Sequence, residues 1–287
     1  MSQPYELRTQ YWNDPVAKAS FKQFAMDIFG LDFSDWDKAG FWDEAFTAFS
    51  YFDGDEVVAN TCLYLLPAII NGRKTQLAQI STVGTRADLR RQGMNRELTE
   101  IALDWAKGKQ DGVFLFSDED AVPFYERIGF SPQEEFLEVI DAKPVTSREG
   151  AIKLDPQSDL AKIHDYAQNR VPISNKLSIG NEKLTMFHAL YFLRDLIYEI
   201  PELDCFVACK RSEERLKIFD IVGKQIPSWK ELHPFIADAG DREVEFHFHT
   251  DKLGLSAVRQ IPLKGNLPFV WNTFPVKTPV FPYTSRA

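Results

Sequence analysis

The chain has 287 residues, 44% hydrophobic and 13% aromatic, enough apolar material for one large or two ordinary packed domains, and disorder is not indicated. Its net charge of −9 argues against nucleic-acid binding, which needs a basic face to neutralise phosphates, and would suit a cationic partner, although an acidic average is ordinary for soluble proteins. No apolar run approaches a membrane span, since the longest, Leu63 to Ile70, is broken by Pro67; Met1 to Tyr5 has no basic-then-apolar signal pattern.

In chain order, Tyr5–Thr9 reads as an edge strand and Pro15–Phe29 as a helix with Phe21, Phe24, Ala25 and Ile28 on one stripe. Ala45–Phe52 and Glu56–Ile70 read as strands joined at Asp53-Gly54-Asp55. Asn71-Gly72, the strongest hairpin signal, leads into the strand Gln76–Thr85. A helix over Met94–Lys107 carries Met94, Leu98, Ile101 and Trp105 on one face. The strand Gly112–Ser117, a short helix and a closing strand Phe136–Ile140 follow. These elements fit an α/β fold, an open mixed sheet with helices on both faces.

The polar stretch Asp141–Gly150, with Pro144, reads as a linker. Beyond it, helices are expected over Pro156–Gln168, Met186–Tyr198 and Ser228–Ala239, and strands over Cys205–Lys210, Leu216–Gly223 and Val244–Thr250. The three cysteines do not make a disulfide framework. Cys205 and Cys209 share a strand face about 13 Å apart, too far to bridge. Buried thiols in a reducing cytoplasm are the simplest account.

The most informative stretch is Arg90-Arg91-Gln92-Gly93-Met94-Asn95, between a strand and a helix. A helix's first turn has unpaired N–H groups and the positive end of the dipole, and Gly93 permits close approach of a bulky anion. Arg90 and Arg91 add charge. A basic surface loop is the plain alternative.

The run Val83-Gly84-Thr85-Arg86-Ala87-Asp88-Leu89-Arg90-Arg91-Gln92-Gly93 resembles motif A of the GNAT acyltransferases, whose loop amides hold the pyrophosphate of acetyl-CoA. Ala121-Val122-Pro123-Phe124-Tyr125-Glu126-Arg127-Ile128-Gly129-Phe130 resembles that family's motif B. Asn95 departs from the usual Gly or Ala. The resemblance implies a GNAT domain over 1–143. The second half, 150–287, echoes the first without its Arg/Gly loop and reads as a degenerate GNAT-like domain of the tandem type, distantly similar to the enhanced-intracellular-survival acetyltransferases. It further implies that Val83, Gly84, Thr85, Arg90, Arg91, Gln92, Gly93, Met94 and Asn95 bind acetyl-CoA. A backbone N–H near Val83 would face the thioester oxygen, and Tyr125 would serve as general acid to the leaving thiolate. Its plain alternative is a core aromatic beside Phe124 and Phe130.

The expected activity is transfer of an acetyl group to a small-molecule or peptide amine by direct attack, in the cytoplasm and with neither nucleic acid nor membrane as partner. The other reading is a non-catalytic CoA-binding sensor or scaffold. The base is not assigned. Asp35, Asp37, Asp43 and Glu44 alternate with Trp36, Phe41 and Trp42, and could bind an ammonium group or form a solvated loop over tucked-in aromatics. Asp118, Glu119 and Asp120 precede motif B and could cap its helix. Glu245, His247 and His249 share a strand face, but Val244, Phe246 and Phe248 alternate with them as in a half-buried strand, so no metal site is expected.

Overall fold

A computed structural model of the chain describes residues 4–265, 267–272 and 274–287. It begins with β1 (Glu6–Thr9), α1 (Pro15–Phe29), α2 (Ser34–Lys38), β2 (Phe46–Asp53), β3 (Glu56–Ile70) and β4 (Arg73–Thr85). Next come α3 (Met94–Ala106), β5 (Gly112–Ser117), α4 (Val122–Ile128), β6 (Phe130–Pro132) and β7 (Phe136–Asp141). The chain continues through β8 (Ile152–Lys153), α5 (Leu160–Gln168), β9 (Leu177–Ile179), α6 (Glu182–Tyr191), β10 (Ile197–Ile200), β11 (Cys205–Ser212) and β12 (Arg215–Gly223). It closes with α7 (Trp229–Ile236), β13 (Glu243–Phe246), β14 (Arg259–Pro262) and β15 (Leu267–Trp271).

Local chemistry accounts for the better-defined boundaries. Asp14 caps α1 by accepting from Val16 N and Ala17 N, with Pro15 in the first turn and left-handed Gly30 at the end. Asn71 and Gly72 both take positive φ, 50° and 75°, as a tight hairpin between β3 and β4 requires.

The strands form two mixed sheets. The first runs β1-β2-β3-β4-β5-β15-β6, with β9 added to the far end of β3; the second runs β14-β7-β13-β12-β11-β10-β8. One face of the first sheet packs on α3 through Met94, Leu98 and Ala102. The other packs on α1, α6 and the C-terminal tail through Phe21, Phe46, Phe187 and Phe281.

Four expectations need correction. Phe136–Asp141 does not close the first sheet: β7 lies between β13 and β14 in the second. The place beside β5 is taken instead by β15, whose residues Leu267–Trp271 pair with Ser117–Val113. The two sheets thus exchange strands across the expected linker. The helix anticipated over Met186–Tyr198 runs Glu182–Tyr191, because Asn181 caps it by accepting from Leu184 N, and Ile197–Ile200 pairs with β11 and β8. The helix anticipated from Pro156 begins only at Leu160, after a turn in which Ser158 N and Asp159 N bond Asp155 O.

The last correction concerns Glu245, His247 and His249, which do not form an outward polar face. All three are buried, and the strand stops at Phe246. His247 bonds Glu245 at 2.8 Å, and His249 donates through Nδ1 to Glu138 on β7 at 2.7 Å while its Nε2 accepts from Val280 N. Burial by itself would raise the Glu138 carboxyl. The bonds from His249 and from the Thr250 side chain and amide outweigh it and hold the group at about 2. Among the described residues no His/Cys/Asp/Glu group is arranged to hold a metal. Cys62, Cys205 and Cys209 are buried free thiols, and among the described residues no helix is long and apolar enough to cross a membrane.

Because β15 belongs to one sheet and the preceding β14 to the other, the two should unfold together. Urea unfolding followed by tryptophan fluorescence and by far-UV circular dichroism should give one coincident transition. Phe269→Ala, at a buried β15 position, should lower stability by about 3–5 kcal/mol. Two separated transitions would show that the exchange does not couple the sheets.

Candidate active site

The parallel ladder between β4 and β5 covers only Leu77, Ala78 and Gln79 opposite Gly112, Val113 and Phe114. Beyond that rung the two strands part, and Ile80–Thr85 runs without a ladder to Leu115–Ser117. The divergence has a cause on the other edge of β4. The register with β3 shifts between Asn60 and Cys62, so that Asn60 faces Gly84 while Cys62 faces Ser81. Thr82 occupies the bulge at φ 50°, an uncommon conformation for a β-branched residue. A buried chain of hydrogen bonds supports it: Tyr11 Oη and Ser50 Oγ lie 2.6 Å apart, Ser50 donates to Asn60 Oδ1 at 2.7 Å, and Asn60 Nδ2 donates to Thr82 O at 2.7 Å.

A strand that leaves its neighbour inside a sheet exposes backbone groups that need another partner. Ser81 Oγ is likewise buried without a hydrogen-bond partner. The opening can therefore take an extended, amide-bearing chain as an added strand.

The loop after β4 lies on the α3 side. Arg91 and Gly93 both adopt positive φ, 66° and 84°, which turns the chain sharply into α3. Gly93 is the helix N-cap and offers no capping side chain, so the first-turn N–H groups stay available; nothing lies within 4 Å of where its Cβ would be. Arg91 is exposed, and Arg90 bends back to donate from Nε to Thr85 O at 3.3 Å. Polar backbone, a helix N-terminus and the arginines Arg90 and Arg91 thus meet in one loop.

Asn95 has a packing role. Its side chain turns toward the sheet, donating to Asn60 O at 3.0 Å and Gly84 O at 2.9 Å and accepting from the Thr85 hydroxyl. It ties the first turn of α3 to the bulged strands. Gly84 faces α1, where a Cβ would stand 2.7 Å from Phe29 Cζ. Val83 and Met94 join the same apolar cluster as Tyr125, so the structure brings the two motifs together.

Tyr125 on α4 is buried against Phe124, Phe130 and Phe269. Burial, aided by the negative Asp118, pushes its hydroxyl up, so it is protonated at neutral pH and can act only as a donor.

Two of the four acids that could bind an ammonium group are otherwise engaged. Asp37 pairs with Lys18 and Lys22, and Asp43 with Lys183, while Trp36, Phe41 and Trp42 are buried. Asp35 and Glu44 are exposed.

On the face opposite α3 is a cavity of about 260 Å³, lined in part by Phe33, Trp36, Phe46, Phe187, His188 and Tyr283, and walled by Arg286 and Ala287. These last two residues also reach the parted strands. Ala287 N and O bond the side chain of Gln79, on the last paired rung, at 3.0 and 3.2 Å. The Arg286 guanidinium lies 4.5 Å from the Phe116 ring on β5 and pairs with Glu135. Thr284 anchors the tail on Asp220 of β12, itself held by two bonds from Arg170. The run Phe281–Ala287 resembles the closing segment of some tandem GNAT proteins, but no local pattern in it marks a role at the first sheet.

Residues 4–130 match the model of the acetyltransferase (GNAT) family. None of the functionally curated proteins matches the chain. Solved structures with the same fold include a conserved protein of unknown function from Enterococcus faecalis V583 (TM-score 0.58, 14% identity, covering 92% of this chain and 72% of that one). A GCN5-related N-acetyltransferase from Kribbella flavida gives a TM-score of 0.52 at 17% identity over 93% of this chain and 71% of that one. Eis1 from Mycobacterium abscessus gives 0.51 at 15% identity over 93% and 72%. These likenesses extend over nearly the whole chain and concern the fold.

Two buried groups behind the cavity impose opposite pH dependences. His188 donates from Nε2 to Arg286 O at 2.7 Å, and burial lowers its pKa from 6.5 to about 4. The unfolded chain binds that proton first, so this group removes stability as pH falls from 6.5 toward 4. Burial raises Glu135 from 4.5 to about 7 against the pull of Arg286, so its contribution is lost as pH rises from 4.5 through 7. Relative to the parent chain, Glu135→Gln should steepen the loss of stability on acidification from pH 6.5 to 4.5. His188→Gln should shift the slope the other way; urea midpoints across that range check both signs.

Proposed function

We propose that the protein is an N-acyltransferase that moves an acetyl group from acetyl-CoA to an amine. What carries the reading is the parting of β4 from β5 after Gln79, with a helix N-terminus beside it on one face and a cavity on the other. When bound, acetyl-CoA supplies an activated thioester carbonyl. Amides of Gly93, Met94 and Asn95, with Arg90 and Arg91, would hold its diphosphate, and Gln92 belongs to the same loop. The unladdered backbone of Val83, Gly84 and Thr85 would pair with the pantetheine amides.

Chemically, a C–N bond forms as the C–S bond breaks. The amine nitrogen sheds its proton to solvent, and the departing sulfur takes one from the Tyr125 hydroxyl, which water then replenishes. Burial that raises the tyrosine also raises a thiol, as at Cys62, pushed up to about 12, so donor and acceptor stay matched. A Val83 amide at the opening would stabilise negative charge on the carbonyl oxygen.

The sensor reading drew on Asn95 and on the loop motif missing from the second half; the packing role of Asn95 removes the first of these grounds. Tyr125→Phe should lower turnover, measured as thiol release, by about 10²–10⁴-fold while CoA affinity by calorimetry stays within twofold. Arg91→Glu should weaken CoA binding, and the loss should shrink as salt is raised. Saturable CoA binding with no thiol release from any amine would favour the sensor instead.

A further inference from the structure

The cavity beside the opening is walled by interlocked rings. Phe33 stacks on Phe46 at 5.7 Å and meets Phe187 at 5.3 Å, while Trp36 stands edge-on to Phe46 and Phe187 at 5.8 Å each. The polar ends of two rings are already used by the protein. Trp36 Nε1 donates to Lys183 O at 2.7 Å, and Tyr64 donates to Asn181 Oδ1 at 3.1 Å. What these rings turn inward is hydrocarbon.

The charge on the lining is equally informative. Among the described residues, no lining side chain is a carboxylate. His188 is neutral at pH 7, and Arg286, paired with Glu135, is the lining's cation. The nearby acids Asp37 and Asp43 are neutralised by lysines. No lining side chain offers a polycation a counter-charge for its desolvation, although the chain as a whole carries a net charge of −9. A dry cavity of about 150 Å³ lined by such side chains takes up benzene. The 260 Å³ present here suits a larger ring system.

We propose that the acceptor is an amine bearing a flat apolar group, aryl or aryl-alkyl, seated among these rings with its nitrogen at the β4–β5 opening. The substrate class rests on the acyltransferase reading; occupancy of the cavity by an aromatic group can be tested without turnover. The location follows from Arg286 and Ala287, which wall the cavity and touch Gln79 and Phe116 at the parting strands. A long acyl chain is the competing occupant. The aromatic lining and the second-half wall from α6 and the tail, remote from the α3 phosphate cradle, favour the acceptor.

The test has a binding arm and a kinetic arm. Tryptamine and indole should bind the full chain saturably, read by calorimetry with CoA present. Phe192→Ala, at a half-exposed lining ring whose loss leaves the core intact, should weaken both at least threefold without changing CoA affinity. Phe187→Ala should weaken them more. In thiol-release assays with acetyl-CoA, tryptamine and phenethylamine should exceed spermidine in kcat/KM by tenfold or more, with the Phe192→Ala loss confined to the amine's KM. Absence of saturable indole binding, equal or better use of spermidine, or displacement of indole by the acyl chain of octanoyl-CoA would each overturn the proposal. Saturable indole binding without thiol release from any amine would retire the acyltransferase reading and leave an aromatic-binding cavity in its place.

Discussion

The structure depends on one interruption: β4 abandons β5 after Gln79. In an otherwise continuous sheet, a parted pair of strands is an energetic liability, because backbone donors and acceptors lose their partners in a place with little water. The protein holds the gap open from both sides. On one edge the Tyr11–Ser50–Asn60 chain fixes the bulge at Thr82, and Asn95 pins the same bulge to α3. On the opposite face Ala287 clasps Gln79 at the last closed rung. A gap held in this way leaves backbone donors and acceptors of β4 and β5 open to an added partner.

The second half builds the cavity's other wall. α6 contributes Phe187 and His188, and the tail contributes Tyr283, Arg286 and Ala287, while Phe33, Trp36 and Phe46 come from the first half. The buried Asp220, bonded by Arg170 and Thr284, fixes the tail to the second sheet at the same time as Gln79 fixes it to the first. The geometry of the cavity is therefore inseparable from the strand exchange. β15 fills the first sheet between β5 and β6, and β7 leaves to join the second.

Elements whose residues carry their own boundary signals were legible from the sequence. Asp14 and Gly30 frame α1, Asn71-Gly72 makes the β3–β4 turn, and the Met94–Leu98 stripe marks α3. β15 was not, because Pro268 argues against a central strand; its neighbours supply the pairing that local propensity does not. Asn95 was visible as a departure, but its purpose emerges only when Asn60, far away in the chain, is seen within hydrogen-bond reach. The acids among the aromatics near Trp36 were ambiguous until Lys18, Lys22 and Lys183 were placed beside them.

By itself the sequence determined the strand–loop–helix cradle, the aromatic motif that carries Tyr125 and the mixed α/β character, since each follows from residues close together in the chain. Only the tertiary structure decided which strand borders β5, which charges are cancelled and what lines the cavity. Those outcomes arise from contacts between residues separated by much of the chain, where burial and pairing override the preferences of any short segment.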